Sequence, residues 1–281
     1  MAPWCWSYPT NEADPRMRSV RRWMLGGAAV GIAYALIAFA PASWLASRLA
    51  AASGGQVLLQ APRGTVWQGS AEVVLSGGAG SHGAVSLPSR MAWRLRPVWL
   101  GLNLSLNAPC CAPVASPVQI GLRAGSLARP LDVSWQVDTP KLALPADMLT
   151  GLGAPWNTLQ LGGDLSLTAE RLSGIWSRSD GLAQIAGRAD LQANNVTTAL
   201  STVRPLGNYK LSSTGPALLL ETKPSAALVL SGTGQIVQGR VSFQGEALAA
   251  AGFDEALSNL LHIVGQWQPS TDGRSRSVLK L

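Results

Sequence analysis

The sequence predicts a mostly β protein, in which one apolar N-terminal helix precedes a curved, largely antiparallel sheet with one or two short helices. Three observations carry that expectation. Only 13% of the 281 residues are charged while glycine and proline supply 30 and 18 positions, a mix that suits many short strands joined by tight turns. Apolar and polar residues alternate with a period of two over much of the chain. Ahead of that alternation runs a stretch without a charge. A chain of this length can bury a sizeable core, as one large β domain or two modest ones.

The uncharged stretch, WMLGGAAVGIAYALIAFAPASWLAS, covers residues 23–47. Crossing the hydrocarbon layer takes ~20 apolar helical residues, so the run is long enough to span with some tilt. Trp23 and Trp44 sit near its ends, and Arg16, Arg18, Arg21 and Arg22 precede it. Aromatic rings favour the headgroup level and positive charge stays on the cytoplasmic side, so the rest of the chain is expected to face outward. Ala38-Phe39-Ala40 resembles a signal-peptide cleavage site, but Pro41 directly after it hinders cleavage, so a retained anchor is expected. Met17 opens a more ordinary n-region than residues 1–16 and offers an alternative translation start that leaves out Cys5. The expected organisation is a cytoplasmic tail over 1–22, a transmembrane anchor over 23–47, a linker over 48–62 and a β domain over 63–281.

In the β domain, Thr65, Trp67, Gly69, Ala71, Val73 and Leu75 fall on one face of an expected strand, with Gln68, Ser70 and Glu72 on the other. The alternation recurs as Leu102, Leu104, Leu106, as Val133, Trp135, Val137, and as Leu159, Leu161, Leu165, Leu167. It appears again in YKLSS, ALLLET, AALVLSGTG and RVSFQG, each bounded by turn residues. Strands this closely spaced predict an antiparallel meander with an apolar inner face, either open or closed on itself. Two segments read as helices. LPADMLTGLG, 144–153, has Pro145 near a start and Gly151 at an end. AGFDEALSNLLHIVGQ, 251–266, sets Phe253, Leu257, Leu260, Leu261 and Val264 in one stripe closed by Gly265, with Asp254 and Glu255 favoured by the macrodipole at its start.

Signals for chemistry are sparse. The two histidines are His82, in a glycine-rich turn with no acid nearby in sequence, and His262, beside the apolar stripe of the last helix. Motifs for a serine nucleophile elbow, a zinc protease or a phosphate loop are absent, and the acids are dispersed, so a non-enzymatic chain with no cofactor or metal is expected. The net charge of +7 is partly concentrated before the apolar run, and the remaining arginines are scattered singly, which argues against nucleic acid as a partner. Cys110 and Cys111 are adjacent in a proline-rich stretch and can close a vicinal disulfide in an oxidising compartment.

RGTVWQGSA, 63–71, followed by MAWRLRPVWLGLNLSL, 91–106, and then RPLGNYKL, LLLETKPSAALVLSGTG, GRVSFQGEALAA and LSNLLHIVGQ, resembles the type II secretion system protein N family. The resemblance spans about residues 20–266 and is weakest over 108–158; each phrase is a strand and turn, and their order behind an anchor carries the likeness. It implies a bacterial inner-membrane protein with a periplasmic β domain, an accessory part of the machine that exports folded proteins across the outer membrane. Other subunits of that machine are the implied partners. The family is also similar in architecture to AsmA-like proteins, whose curved sheets are associated with lipid. Gly64, Trp67, Gly69, Trp93, Pro97, Gly101, Pro205, Gly207 and Gly245 are then expected to be packing positions, with Gly64–Gly69 in a strand and Trp67 filling the concave side. An alternative role for the face carrying Trp67, Trp93, Trp135 and the leucine rows is an apolar groove for acyl chains; ordinary core is the other reading of those tryptophans.

Overall fold

The computed structural model describes residues 15–78, 83–112, 117–125, 132–154, 156–177, 181–269 and 275–280. It divides into two compact units, 1–40 and 41–281. Cys5 and His82 lie outside the described residues.

The first unit contains helix α1 (Pro15–Ala38). Its apolar side chains from Trp23 onward, including Met24, Leu25, Val30, Ile32, Leu36 and Ile37, are exposed. The uncharged run 23–47 is not one helix. α1 stops at Ala38, and after a turn through Phe39 the chain meets Pro41, which lacks an N–H and disfavours helical backbone in the residue before it. Trp44 and Ser47 therefore belong to a separate helix, α2 (Ala42–Ala52), in the second unit. Among the described residues no helix is long and apolar enough to cross a membrane.

The second unit is one antiparallel sheet laid down almost in chain order. Its strands are β1 (Val57–Gly64), β2 (Gln68–Ser76), β3 (Ala84–Ser86), β4 (Met91–Val98), β5 (Gly101–Asn107), β6 (Val118–Ala124), β7 (Val133–Pro145) and β8 (Gly162–Ser177). They continue as β9 (Gly181–Thr197), β10 (Gly207–Thr214), β11 (Ala217–Thr222), β12 (Leu228–Val237), β13 (Arg240–Ala249), β14 (Gln266–Pro269) and β15 (Ser275–Lys280). Neighbours follow the order β1-β2-β4 through β13, then β15 and β14, with β3 on β2. Among the described residues β1 and β14 do not pair, so the sheet is open. The segment 48–62, expected to be a linker, holds the end of α2 and most of β1.

Because every neighbour is antiparallel, successive connections alternate between two rims. The turns β1–β2, β4–β5, β6–β7, β8–β9, β10–β11 and β12–β13 lie along one, the hairpin rim. Along the other, the helical rim, lie the Cys110–Cys111 loop, a 3-10 helix (Ala146–Leu152), α3 (Trp156–Leu159) and the approach to α4 (Asp254–Val264).

Register aligns the apolar residues across the strands into one face. Leu95, Leu104, Ile120, Val137 and Leu172 form one cross-strand row, and Leu142, Leu167, Leu191, Leu211 and Leu220 form another. Alternation along β7 and β8 does not connect these rows. Bulges between Val137 and Leu142 shift the pairing so that both lengths of β7 present leucine or valine inward. Arg171 takes a positive φ at the bulged stretch of β8, and its N–H donates to Asp138 Oδ1 at 2.8 Å.

Helices cover the two ends of this inner face. At one end Ala42, Leu45, Ala46 and Leu49 of α2 pack on Leu59, Ala71, Val73 and Trp93. At the other, Leu257, Leu260 and Leu261 of α4 pack on Leu228, Ala247 and Ala249. Phe253 is excluded from the predicted stripe because it forms the N-cap and stays partly exposed. The predicted helix at 144–153 is the 3-10 turn; it ends at Gly153, whose φ of 83° suits a glycine stop, while Gly151 sits buried against the Leu75 backbone. Leu159 and Leu161, expected in a strand, lie in α3 and the residue pair before β8.

Candidate functional site

The Gly64–Gly69 stretch is a hairpin connection, not a continuous strand. Gly64 and Gly69 are the last paired residues of β1 and β2. Between them Thr65 N–H donates to Gln68 O at 2.9 Å, and Gln68 N–H to Thr65 Oγ1 at 3.1 Å. Gly64 has φ of 87°, a left-handed backbone that glycine adopts without steric cost. Trp93, not Trp67, fills the inner face. Its cross-strand partner is Gly69, and a Cβ at Gly69 would lie 2.5 Å from the indole ring. Trp93 is 3% exposed and its Nε1 donates to Val66 O at 3.1 Å, tying the hairpin to β4. Trp67 is a turn residue whose carbonyl accepts from Leu95 N–H at 2.7 Å.

The same device recurs twice. Trp135 is paired with Gly174 and Phe243 with Gly234, each ring lying over its glycine. An aromatic over a glycine restores the buried area that the missing side chain gives up. Gly245 lies beside the Phe243 ring in β13. Pro97 and Gly101 flank the β4–β5 turn on the hairpin rim. Pro205, preceded by a cis peptide, and Gly207 lie on the helical rim between β9 and β10, with Leu206 buried between them. These positions therefore do not converge on one site; they recur where strands turn or aromatics pack. Cys110 and Cys111 are bonded to each other on the helical rim, where Cys110 N–H donates to Ser89 Oγ and Ala143 N–H to Cys111 O.

Between the two helix-covered ends, the inner face lines a cavity of about 550 Å³. Leu142, Leu165, Leu167, Leu191, Leu211 and Leu220 form its sheet wall, and Leu149, Trp156, Leu159 and Leu260 approach from the helices. Its polar side chains are satisfied within the protein: the Tyr209 hydroxyl donates to Leu228 O at 2.9 Å, and Thr198 Oγ1 donates to Leu159 O. Burial pushes the Tyr209 phenol well above its ordinary value, so it stays neutral. Such a wall offers no free donor or charge to fix a polar ligand and suits hydrocarbon. Of the face expected to form a groove, which carries Trp67, Trp93, Trp135 and the leucine rows, the row residues Leu159, Leu161, Leu165 and Leu167 line the cavity and the three tryptophans lie outside its wall. The leucine rows were the signal, but the bulges in β7 and β8 that align them were not visible in it.

The sheet offers edges of unequal kind. β14 is four residues long and ends in Pro269, features that blunt strand addition. β1 is eight residues long and bulged after Gln60, with Arg90 Nη2 donating to Ala61 O at the bulge. Among the described residues no group of three His, Cys, Asp or Glu converges to hold a metal ion, and His262 lies exposed on α4.

A family model described as type II secretion system (T2SS), protein N matches residues 55–276. The chain belongs to that family. The match begins just before β1, takes in the sheet and α4, and runs into β15. Neither a curated protein nor a solved structure matches the chain. Membership makes this protein N chain an accessory component of type II secretion, and the open β sheet is the part on which membership rests.

Proposed function

We propose that the chain is held at the bacterial inner membrane by α1, carries its β unit on the periplasmic side, and supports type II secretion non-enzymatically through protein contacts. The observation that carries this reading is the family match over 55–276, from β1 into β15. The exposed apolar length of α1 from Trp23 onward and the arginines in its first part, Arg16, Arg18, Arg21 and Arg22, support the anchor. The helical part of the uncharged run, 23–38, is shorter than the ~17–25 residues that crossing takes, so the anchor reading rests on these features and on the family rather than on helix length. The contact surface is the β1 edge, whose outer backbone can take an added strand from another secretion subunit. A photo-crosslinking residue at the exposed Gln60 of the full chain in living cells should capture a secretion-system subunit. Crosslinks to no such subunit, with the chain in the membrane fraction, would refute the edge contact.

The cavity favours a second reading, in which the sheet holds an acyl chain. Native mass spectrometry of the full chain after gentle extraction should then show bound lipid, lost in Leu191→Trp. A lipid-free spectrum would sink this reading.

A further inference from the structure

We propose that the hairpin rim of the sheet rests on an anionic membrane surface, a placement that depends on the anchor reading of α1. Among the described residues, six of the ten exposed large apolar side chains of the second unit lie along this rim. Trp99 is 91% and Leu100 66% exposed at the β4–β5 turn, beside Val98; Trp176 stands at the β8–β9 turn; Val237 and Val241 flank the β12–β13 turn. Water is a poor environment for so many apolar tips on one rim, whereas Trp favours the headgroup level and short aliphatic tips reach the acyl boundary.

Charge divides between the rims in the same sense. Arg63, Arg96, Arg123 and Arg240 are exposed at the hairpin rim, where the acid among the described residues is Asp132. The described ion pairs, Arg90–Glu72, Lys210–Asp190 and Arg276–Glu246, take none of these arginines. At the helical rim Asp147, Asp164, Glu221, Asp254 and Glu255 outnumber Arg204 and Lys223, with Arg90 and Arg276 taken up by Glu72 and Glu246. An anionic surface attracts the first rim through guanidinium–phosphate contacts and repels the second.

The tether decides between a membrane and a protein partner, for both of which Trp and Arg are suited. Pro41, the first residue of the sheet unit, forms an isolated antiparallel bridge with Thr65, in the β1–β2 turn on this same rim. Trp44, exposed on α2, shares a depression with Val66 of that turn. The chain therefore enters the sheet unit at the rim that carries the apolar tips and arginines, and an anchor ending at Ala40 leaves that rim next to the bilayer.

The test is photo-crosslinking of the full chain in living cells, with the reactive residue at Leu100, at Val237 or at Ser225 on the helical rim, followed by intact mass analysis and fractionation. Phospholipid adducts are expected at Leu100 and Val237 and not at Ser225. A double variant, Arg96→Gln with Arg123→Gln, should lower the lipid adduct at Leu100 by up to about twenty-five-fold, since each arginine near an anionic surface is worth about a factor of five. If the chain fractionates with membranes but the rim positions capture protein or no lipid, the inference is overturned and the anchor stands. A chain absent from the membrane fraction overturns the anchor, and the inference with it.

Discussion

The ends of the inner face and its middle are built from the same pattern but do different things. At the ends α2 lies over Ala71, Val73 and Trp93, and α4 lies over Leu228, Ala247 and Ala249; these are close-packed cores in which Leu257 and Leu261 are fully buried. In the middle an equally regular leucine wall, Leu167–Leu191–Leu211–Leu220, faces a cavity of about 550 Å³. Alternation decides only that a face is apolar. Whether that face becomes a core or a space depends on which connections carry a helix long enough to cover it, and α3, with four residues, is not.

Substitutions at the ends and in the middle test that contrast. Trp93→Ala should cost the most, about 3–5 kcal/mol in thermal or denaturant unfolding, because it empties the α2 end and frees the Val66 carbonyl. Gly69→Ala attacks the same contact from the opposite strand, with its Cβ 2.5 Å from the Trp93 ring and 2.6 Å from Arg63 O; a loss of about 1–3 kcal/mol is expected. A matched pair then compares end with middle. Leu257→Phe overpacks the α4 end and should cost about 1–3 kcal/mol, whereas Leu191→Phe projects into the cavity and should leave stability within about 1 kcal/mol of the parent. Equal losses for the two would erase the distinction between core and space.

Tyr209→Phe should cost about 1 kcal/mol, from the lost bond to Leu228 O. Its sign with pH is fixed by the raised phenol: the folded chain keeps Tyr209 protonated, so its stabilisation is full below the ordinary phenol value near pH ~10 and falls as pH rises above it. The parent should therefore lose stability faster than Tyr209→Phe in alkali.

Much of the sheet was legible because period-two alternation survives in short strands such as β5, β11 and β13. The paired strands β8 and β9 were harder. GLAQIAGRADLQANN carries few large apolar residues, and its inward side chains are Ala189, Leu191 and Ala193, set by pairing with β8 and β10 rather than by its own pattern. Pro41, which in the sequence bears on cleavage, also lacks the N–H that a continuing helix needs, and the apolar run divides there into two helices. The sequence marks Gly69 as a packing position and Trp67 as the ring that fills the concave side, but the ring against Gly69 belongs to Trp93, more than twenty residues away in sequence, where no local pattern points to it. The cavity was least legible, since it is bounded by residues from β7 to β12 and by three helical segments that only the tertiary fold assembles.

The most direct test of a role in type II secretion is made on cells. Culture supernatants of a strain lacking this chain should lose proteins exported by the type II route while the periplasm accumulates them in folded form, and the full chain supplied in trans should restore export. Undiminished secretion of every such protein in the deletion strain would contradict the role.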